Sequence, residues 1–323
     1  MLKKTEQTRL LATPLLAVLV CVSVLVAGLS WQVLNHIQGK TQESVTNVLR
    51  ASLLHTHDEI TAWVLGRQED ARSWGESAAL REKTQQLMDL MPEKRPLSPV
   101  QDEIWTLLAP MVDRLGYRGV TIVNSHQRVV SSLEAHQIGM LHPISGQNGA
   151  LDKVFQGQSL MANPLHVGEL WSTTYQQTMF VAAPMRDDEG GMMVAVIFEI
   201  DPAGEFSDIA AHGRIGKTGE TWFFDAQGWL LSKSRFEEAL RQQSLLKENQ
   251  SSLLGIQTAL TKEKVAGTAS ETLYIDSNYL VKQVAAVRLW DDVLNFGLMT
   301  SIEVDEAFEP FYRTQNLVLA SVA

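Results

Sequence analysis

The sequence predicts an α+β fold: two tandem antiparallel sheets, each with helices on one side, mounted on a long N-terminal helix behind a membrane-spanning segment. Three observations predict it. First, a strand-turn-strand phrase occurs twice. Val120-Thr-Ile-Val-Asn124-Ser-His-Gln-Arg-Val-Val-Ser131 lines up with Thr221-Trp-Phe-Phe-Asp225-Ala-Gln-Gly-Trp-Leu-Leu-Ser232 at an offset of 101 residues, without a gap. Val181-Ala-Ala183 then matches Val284-Ala-Ala286, and Glu199-Ile-Asp201 matches Glu303-Val-Asp305, so the chain reads as two copies of one β-rich module. Second, residues 36–91 repeat apolar side chains at helical steps. Third, residues 10–35 carry no charge.

Residues 1–9 hold Lys3, Lys4 and Arg9, and the uncharged run after them exceeds the ~18–20 residues that cross a hydrocarbon core. The positive-inside rule puts residues 1–9 in the cytoplasm, a transmembrane helix over 10–34 and the rest outside, with Trp31 as an interfacial anchor. A cleaved signal peptide has an apolar part of only about 7–15 residues. Cys21, the single cysteine, lies in this run, which leaves the exported part without a disulfide or a thiolate nucleophile.

Residues 35–95 form the stalk. Ile37, Val45, Val48, Leu49, Leu53, Ile60, Trp63, Val64, Ala71, Trp74 and Ala78 recur at three- and four-residue steps, with no proline before Pro92. One helix of ~55 residues would reach about 80 Å. Two shorter helices, broken near Gly66 or Gly75, are the alternative. The apolar stripe also suits a homodimer seam.

The membrane-distal module spans 96–204: a helix over 100–115 closed by Gly116, a hairpin about residues 124–127, a short helix over 149–158, and strands 173–185 and 192–200 joined at Asp187-Asp-Glu-Gly-Gly191. The membrane-proximal module spans 205–306: a helix over 205–212, a hairpin about residues 225–228, helix or loop over 236–246, and strands 272–275, 279–287 and 297–303. Residues 307–323 read as an exit helix, and the uncharged end after Arg313 as the start of a second membrane helix.

Composition narrows the function. The chain carries 27 basic against 37 acidic residues, net −10, with no basic run, so nucleic acid is a poor partner. No Gly-x-Ser-x-Gly elbow or kinase loop occurs, and Asp187-Asp188 and Asp291-Asp292 read as solvated turn residues, so no catalytic residue is assigned. His55 and His57 sit two apart on a helix and point about 200° from each other, which rules out chelation of one metal ion. Gly213-x-x-Gly216-x-x-Gly219 leads into a strand, and its N–H groups are not expected to gather on an anion. Glu220, Asp225 and Arg235 are expected in structural roles, Asp225 capping its turn. The best ligand candidates are Trp171, Ser172, Thr174 and Tyr175, with Tyr117 and Arg118 opening the first strand. Aromatic rings beside hydroxyls and a cation suit a small organic anion or zwitterion, while Trp171 and Tyr175 could equally fill the core.

The stretch Gly213-Arg-Ile-Gly-Lys-Thr-Gly-Glu-Thr-Trp-Phe-Phe-Asp-Ala-Gln-Gly-Trp-Leu-Leu-Ser-Lys-Ser-Arg235-Phe resembles the membrane-proximal half of bacterial double Cache sensor domains. Gly297-Leu-Met-Thr-Ser-Ile-Glu-Val-Asp-Glu-Ala-Phe308 is similar to that family's closing strand and exit helix. The distal half resembles it through Gly157, Ala183-Pro184 and Glu199-Ile-Asp201. The resemblance covers residues 38–313. It implies two PAS-like sheets on one helix, a small-molecule pocket in the distal module, and signalling through a second membrane helix; no cofactor is expected. Outputs in such receptors include histidine kinases, chemoreceptor domains, cyclases, and Ser/Thr kinases or phosphatases. The family's Arg-x-Trp-Tyr amino-acid motif does not occur between Gly139 and Trp171. An extracytoplasmic module that only dimerises or binds a protein partner is the alternative; a ligand-sized cavity favours sensing, a solid core favours scaffolding.

Overall fold

One helix, α1 (Lys3–Gly75), forms the axis of the molecule. Leu49, Leu53, Ile60, Val64 and Ala71 are buried along it at steps of four and seven, which places them on a single face. The computed structural model describes residues 3–147, 149–174, 177–247, 250–265 and 272–322; side chains are described from Cys21 onward, except those of Met111, Asp113, Ser321 and Val322. Among the described residues no helix is long and apolar enough to cross a membrane, and residues 10–20 of the expected 10–34 span lie outside those whose side chains are described.

The helix stops at Gly75, not Gly66, and α2 (Ala78–Met88) starts anew with Ser77 Oγ accepting from Leu80 N. Gly75 marks where the rod meets the first sheet: a Cβ there would lie 2.5 Å from Pro184 O. The expected helix α3 follows (Pro99–Leu115).

The first module carries β1 (Gly119–Asn124), β2 (Val129–Ser132), α4 (Ala150–Phe155), β3 (Leu160–His166), β4 (Gln177–Arg186) and β5 (Met192–Ile200), an antiparallel sheet in the order β2-β1-β5-β4-β3. The expected strand 173–185 begins at Gln177, because Trp171–Thr174 turn before it. Strand β3 was not expected; Pro164 lies inside it and its pairing with β4 shifts register between Ala162 and Leu165, as an edge strand tolerates.

The second module opens with α5 (Ser207–His212) and β6 (Glu220–Phe224), then α6 (Glu237–Gln242), α7 (Lys262–Val265), β7 (Tyr274–Ser277), β8 (Gln283–Asp291) and β9 (Phe296–Glu303). Its sheet runs β6-β9-β8-β7. The second arm of its hairpin shrinks to the bridge Phe224↔Leu230, in the place that β2 holds in the first module. The strand expected from Tyr279 starts instead at Gln283, after a turn organised by Asn278. Two short helices close the chain, α8 (Val304–Ala307) and α9 (Glu309–Val322), the latter packed against α1.

Each sheet has one face toward α1, with Ile122, Val181 and Phe198 from the first module and Phe223, Ala285 and Leu298 from the second in one continuous core. The opposite faces have separate cores, Val123, Phe180 and Ile197 in the first module and Trp222, Phe224 and Met299 in the second. The duplicated hairpins are equivalent, with Asn124 and Asp225 each accepting from backbone N–H groups of its own turn. The two shorter phrase matches are not. Gly119 pairs with Glu199 and Glu220 with Ser301, so the structural counterpart of Glu199 is Ser301 and not Glu303.

Candidate functional site

On the face of the first sheet turned away from α1, the start of β1, the segment after β2 and the turn before β4 enclose a hollow of about 120 Å³. Arg118, Trp171, Ser172 and Thr174 line it, so four of the six residues singled out in the sequence come together. Tyr117 does not join them: its ring packs on Phe198 on the α1 side, 4.9 Å between centroids, and its hydroxyl meets Asp70 at 3.2 Å. Burial there pushes the phenol up to about 12. Tyr175 lies outside the described residues.

The walls are held by polar bonds. Ser132 Oγ donates to Gln137 Oε1 at 2.5 Å, and Gln137 Nε2 donates to Trp171 O at 2.9 Å, tying the segment after β2 to the turn before β4. Thr174 N donates to Ser172 Oγ at 3.2 Å. Beneath the hollow, the buried His142 ring stands edge-on to Trp171 and Phe180, at 4.8 and 4.7 Å. His142 Nδ1 accepts from Ile144 N at 3.3 Å, which leaves the proton on Nε2, and burial lowers the ring's pKa to about 3. Among the described residues, neither His142 Nε2 nor Trp171 Nε1 has a hydrogen-bond partner.

The charge balance alters the expectation of an anion. Arg118 Nη2 lies 2.6 Å from Asp201 Oδ1, and Nη1 donates to Gln177 O at 2.9 Å. Asp201 and the Gln177 carbonyl thus both hold the guanidinium, and the lining of the hollow also includes Glu134 and Glu199. Glu199 was missed as a site residue, although the sequence signals it: it is the one charge in the apolar run Met192-Met-Val-Ala-Val-Ile-Phe-Glu-Ile. It is 2% exposed, and a buried carboxylate on a ligand-sized hollow is a functional candidate. A wider cleft of about 880 Å³ lies where Arg118 and Asp201 face Lys233 and Lys247 of the second module.

Asp225 caps its turn as expected, through Gln227 N and Trp229 N. Glu220 is bonded by the Tyr279 hydroxyl, Ser234 and the backbone N of Arg235, while the Arg235 guanidinium donates to Gly219 O. The glycine-rich loop does gather N–H groups on an anion, but the chain supplies it: Lys217 N, Thr218 N and Thr218 Oγ1 all donate to the Glu306 carboxylate. His57 Nε2 lies 2.8 Å from Asp291 Oδ2; burial pushes the Asp291 carboxyl up, but that ring and Leu294 N and Val293 N outweigh it and hold Asp291, expected in water, below the usual carboxylate range. No group of His, Cys, Asp and Glu suited to a metal ion occurs among the described residues.

No family profile and no curated protein matches the sequence. Solved structures do match the fold. The V. cholerae histidine kinase DctB sensor domain aligns with a TM-score of 0.53 at 13% identity, over 81% of this chain and 98% of that one. The ligand-binding domain of the Campylobacter jejuni chemoreceptor Tlp3 aligns at 0.51 and 9% identity, over 84% and 94%. That of the Pseudomonas fluorescens chemoreceptor CtaA aligns at 0.50 and 12% identity, over 81% and 99%. Two antiparallel sheets in series on one long helix, matched over nearly the whole of each of these domains, give this chain the double Cache fold of bacterial sensor domains.

Proposed function

We propose that this chain is the extracytoplasmic sensing part of a bacterial transmembrane receptor, with a small organic ligand bound in the first module by Arg118, Trp171, Ser172 and Thr174. The observation that carries the reading is the hollow: it has a bonded polar frame, an aromatic floor and a buried carboxylate, on the sheet face that α1 leaves free. The similar structures are sensor domains, bound to 4-methylisoleucine in Tlp3 and to L-serine in CtaA, and in DctB belong to a histidine kinase. Small-molecule sensing is the use of this fold that accounts for such a frame; a pure scaffold has no need of it.

The rest of the receptor follows from the same reading. Residues 10–34 anchor the chain in the inner membrane, α8 and α9 lead back toward it, and a cytoplasmic kinase, cyclase, phosphatase or chemoreceptor domain receives the signal. Val48, Leu54 and Leu65 leave apolar surface exposed on α1, which supports a homodimer seam there. A thermal-shift screen of the chain against amines, alcohols, phenols, organic acids and amino acids tests the sensing function. A ligand at 100 times its Kd adds about 2.7 kcal/mol of stability. A shift that Trp171→Ala or Ser172→Ala abolishes is expected; silence across the screen moves the assignment to the dimerising scaffold.

A further inference from the structure

The second module has a hollow of its own, about 250 Å³ against about 120 Å³ in the first. It lies on the sheet face turned away from α1, between that face, the segment before α7 and the turn that joins β7 to β8. Trp222 and Met299, which pair across β6 and β9, form its floor with Leu260. Trp222 is 1% exposed, and among the described residues its indole Nε1 has no hydrogen-bond partner. A buried donor left unpaired is costly, and such a group calls for an acceptor. At the mouth, Val281 holds its side chain 81% exposed with its backbone at φ +60, where a β-branched residue is disfavoured. Strain of this kind persists where surrounding structure imposes it, and ligand clamps are among the places it gathers.

Charge and shape select the occupant. Among the described residues of the lining, Asp276 is the one charged side chain, exposed, with Oδ1 accepting from Ser277 N at 2.8 Å. No cation stands there to receive a carboxylate or a phosphate. The Tyr279 hydroxyl is already taken by Glu220 and Ser234. Its ring stands nearly perpendicular to that of Trp222, 73° apart with 5.9 Å between centroids, a corner that suits a further aromatic ring. Size allows one with a short tail, since a cavity of ~150 Å³ holds benzene.

We infer that this hollow is a second ligand site, for a compact aromatic molecule that brings an oxygen acceptor to the Trp222 N–H, an amine or hydroxyl to Asp276, and no negative charge. It goes beyond the sensing reading, which places a ligand in the first module. Its floor also reaches the exit: β9 runs from Met299 into α8, so an occupant touches the strand that leads out of the domain.

The test is calorimetry on the full chain in detergent with three probes that share one body: tyramine, para-hydroxyphenylethanol and para-hydroxyphenylacetate. The amine and the alcohol are expected to bind and the acid is not. The amine should lead the alcohol by about threefold, as an exposed ion pair allows, and salt should close the gap. Asp276→Asn should erase that lead. Trp222→Phe should weaken both binders alike, by about two- to tenfold, the worth of one neutral hydrogen bond. Ala259→Trp, at the exposed rim, should abolish both, with a thermal melt confirming that the variant folds. Binding that survives Ala259→Trp and Trp222→Phe overturns the inference, as does acid bound as tightly as amine. Loss of binding on Trp171→Ala but not on Ala259→Trp would put the probes in the first hollow, and overturns it too. So does the failure of both amine and alcohol to bind.

Discussion

His142 shows how far a single residue here departs from its solution chemistry. Its ring is wholly enclosed by Trp171 and Phe180, and burial holds its pKa at about 3 against an ordinary 6.5. Unfolding returns the ring to water, where it protonates near 6.5, so its contribution is complete above that pH and is lost as the pH falls toward 3. The slope is about 1.4 kcal/mol per pH unit, or about 2 kcal/mol between pH 7 and pH 5. Denaturant unfolding at those two pH values should show His142→Asn, which keeps an acceptor for Ile144 N, losing about 2 kcal/mol less than the parent chain. Equal losses would mean the ring is not enclosed. Tyr279 is the corresponding case in the second module. Its hydroxyl bonds Glu220, whose carboxyl burial pushes up, above the ordinary carboxylate range. Tyr279→Phe keeps the ring and strips one donor from a buried acceptor, so a loss of about 1–3 kcal/mol is expected in denaturant melts. At this scale the sequence was half legible. Trp171 and Ser172 stood out as aromatic and hydroxyl neighbours ahead of a strand, whereas the role of Glu199 depends on a partner strand 80 residues away.

Among the elements, the rod carries the clearest contrast between two glycines. Nothing lies within 4 Å of a Cβ added at Gly66, but one at Gly75 would meet the Pro184 carbonyl at 2.5 Å. Gly66→Ala should therefore stabilise by up to about 1 kcal/mol through helix propensity, while Gly75→Ala should destabilise by about 1–3 kcal/mol as the helix end is pushed off the sheet. Thermal melts of the pair give opposite signs if the two sites are as described. The same contrast explains what could be read in advance. Periodicity revealed α1, and turn chemistry revealed both hairpins, because Asn124 and Asp225 cap their turns with atoms a few residues away. Strand β3 stayed hidden since Pro164 interrupts its pattern, and its pairing is set by β4 and not by local propensity. The strand from Tyr279 was drawn too early because Tyr279, Leu280 and Val281 are good strand formers that a turn overrides, with Val281 at φ +60.

Across the whole molecule, the question is how a change in the first module could reach the exit helices. The rod touches both sheets, and polar bonds fasten it at intervals: Arg67 to Glu205 at 2.5 Å, His57 to Asp291 at 2.8 Å, and Ser52 Oγ to Gly213 O at 3.3 Å. The last of these lands on the glycine-rich loop, whose far end is held by Glu306 in α8 through Lys217 N, Thr218 N and the Thr218 hydroxyl. Thr218 Oγ1 in turn accepts from Glu303 N at the end of β9. Rod, loop and exit helix are thus linked by bonds that a shift of α1 would load, which makes this loop a polar route between them. Glu306→Ala removes the acceptor for both backbone N–H groups at once. Hydrogen exchange should then lose protection at Lys217 and Thr218 and along α8, while amides of β1, β4 and β5 in the first module keep theirs, since no bond of Glu306 reaches them. In a receptor with its output domain attached, the same substitution should leave a ligand bound in the first module and blunt the response to it. Unchanged protection at 217–218 would place the coupling elsewhere, in the apolar seam between α1 and α9.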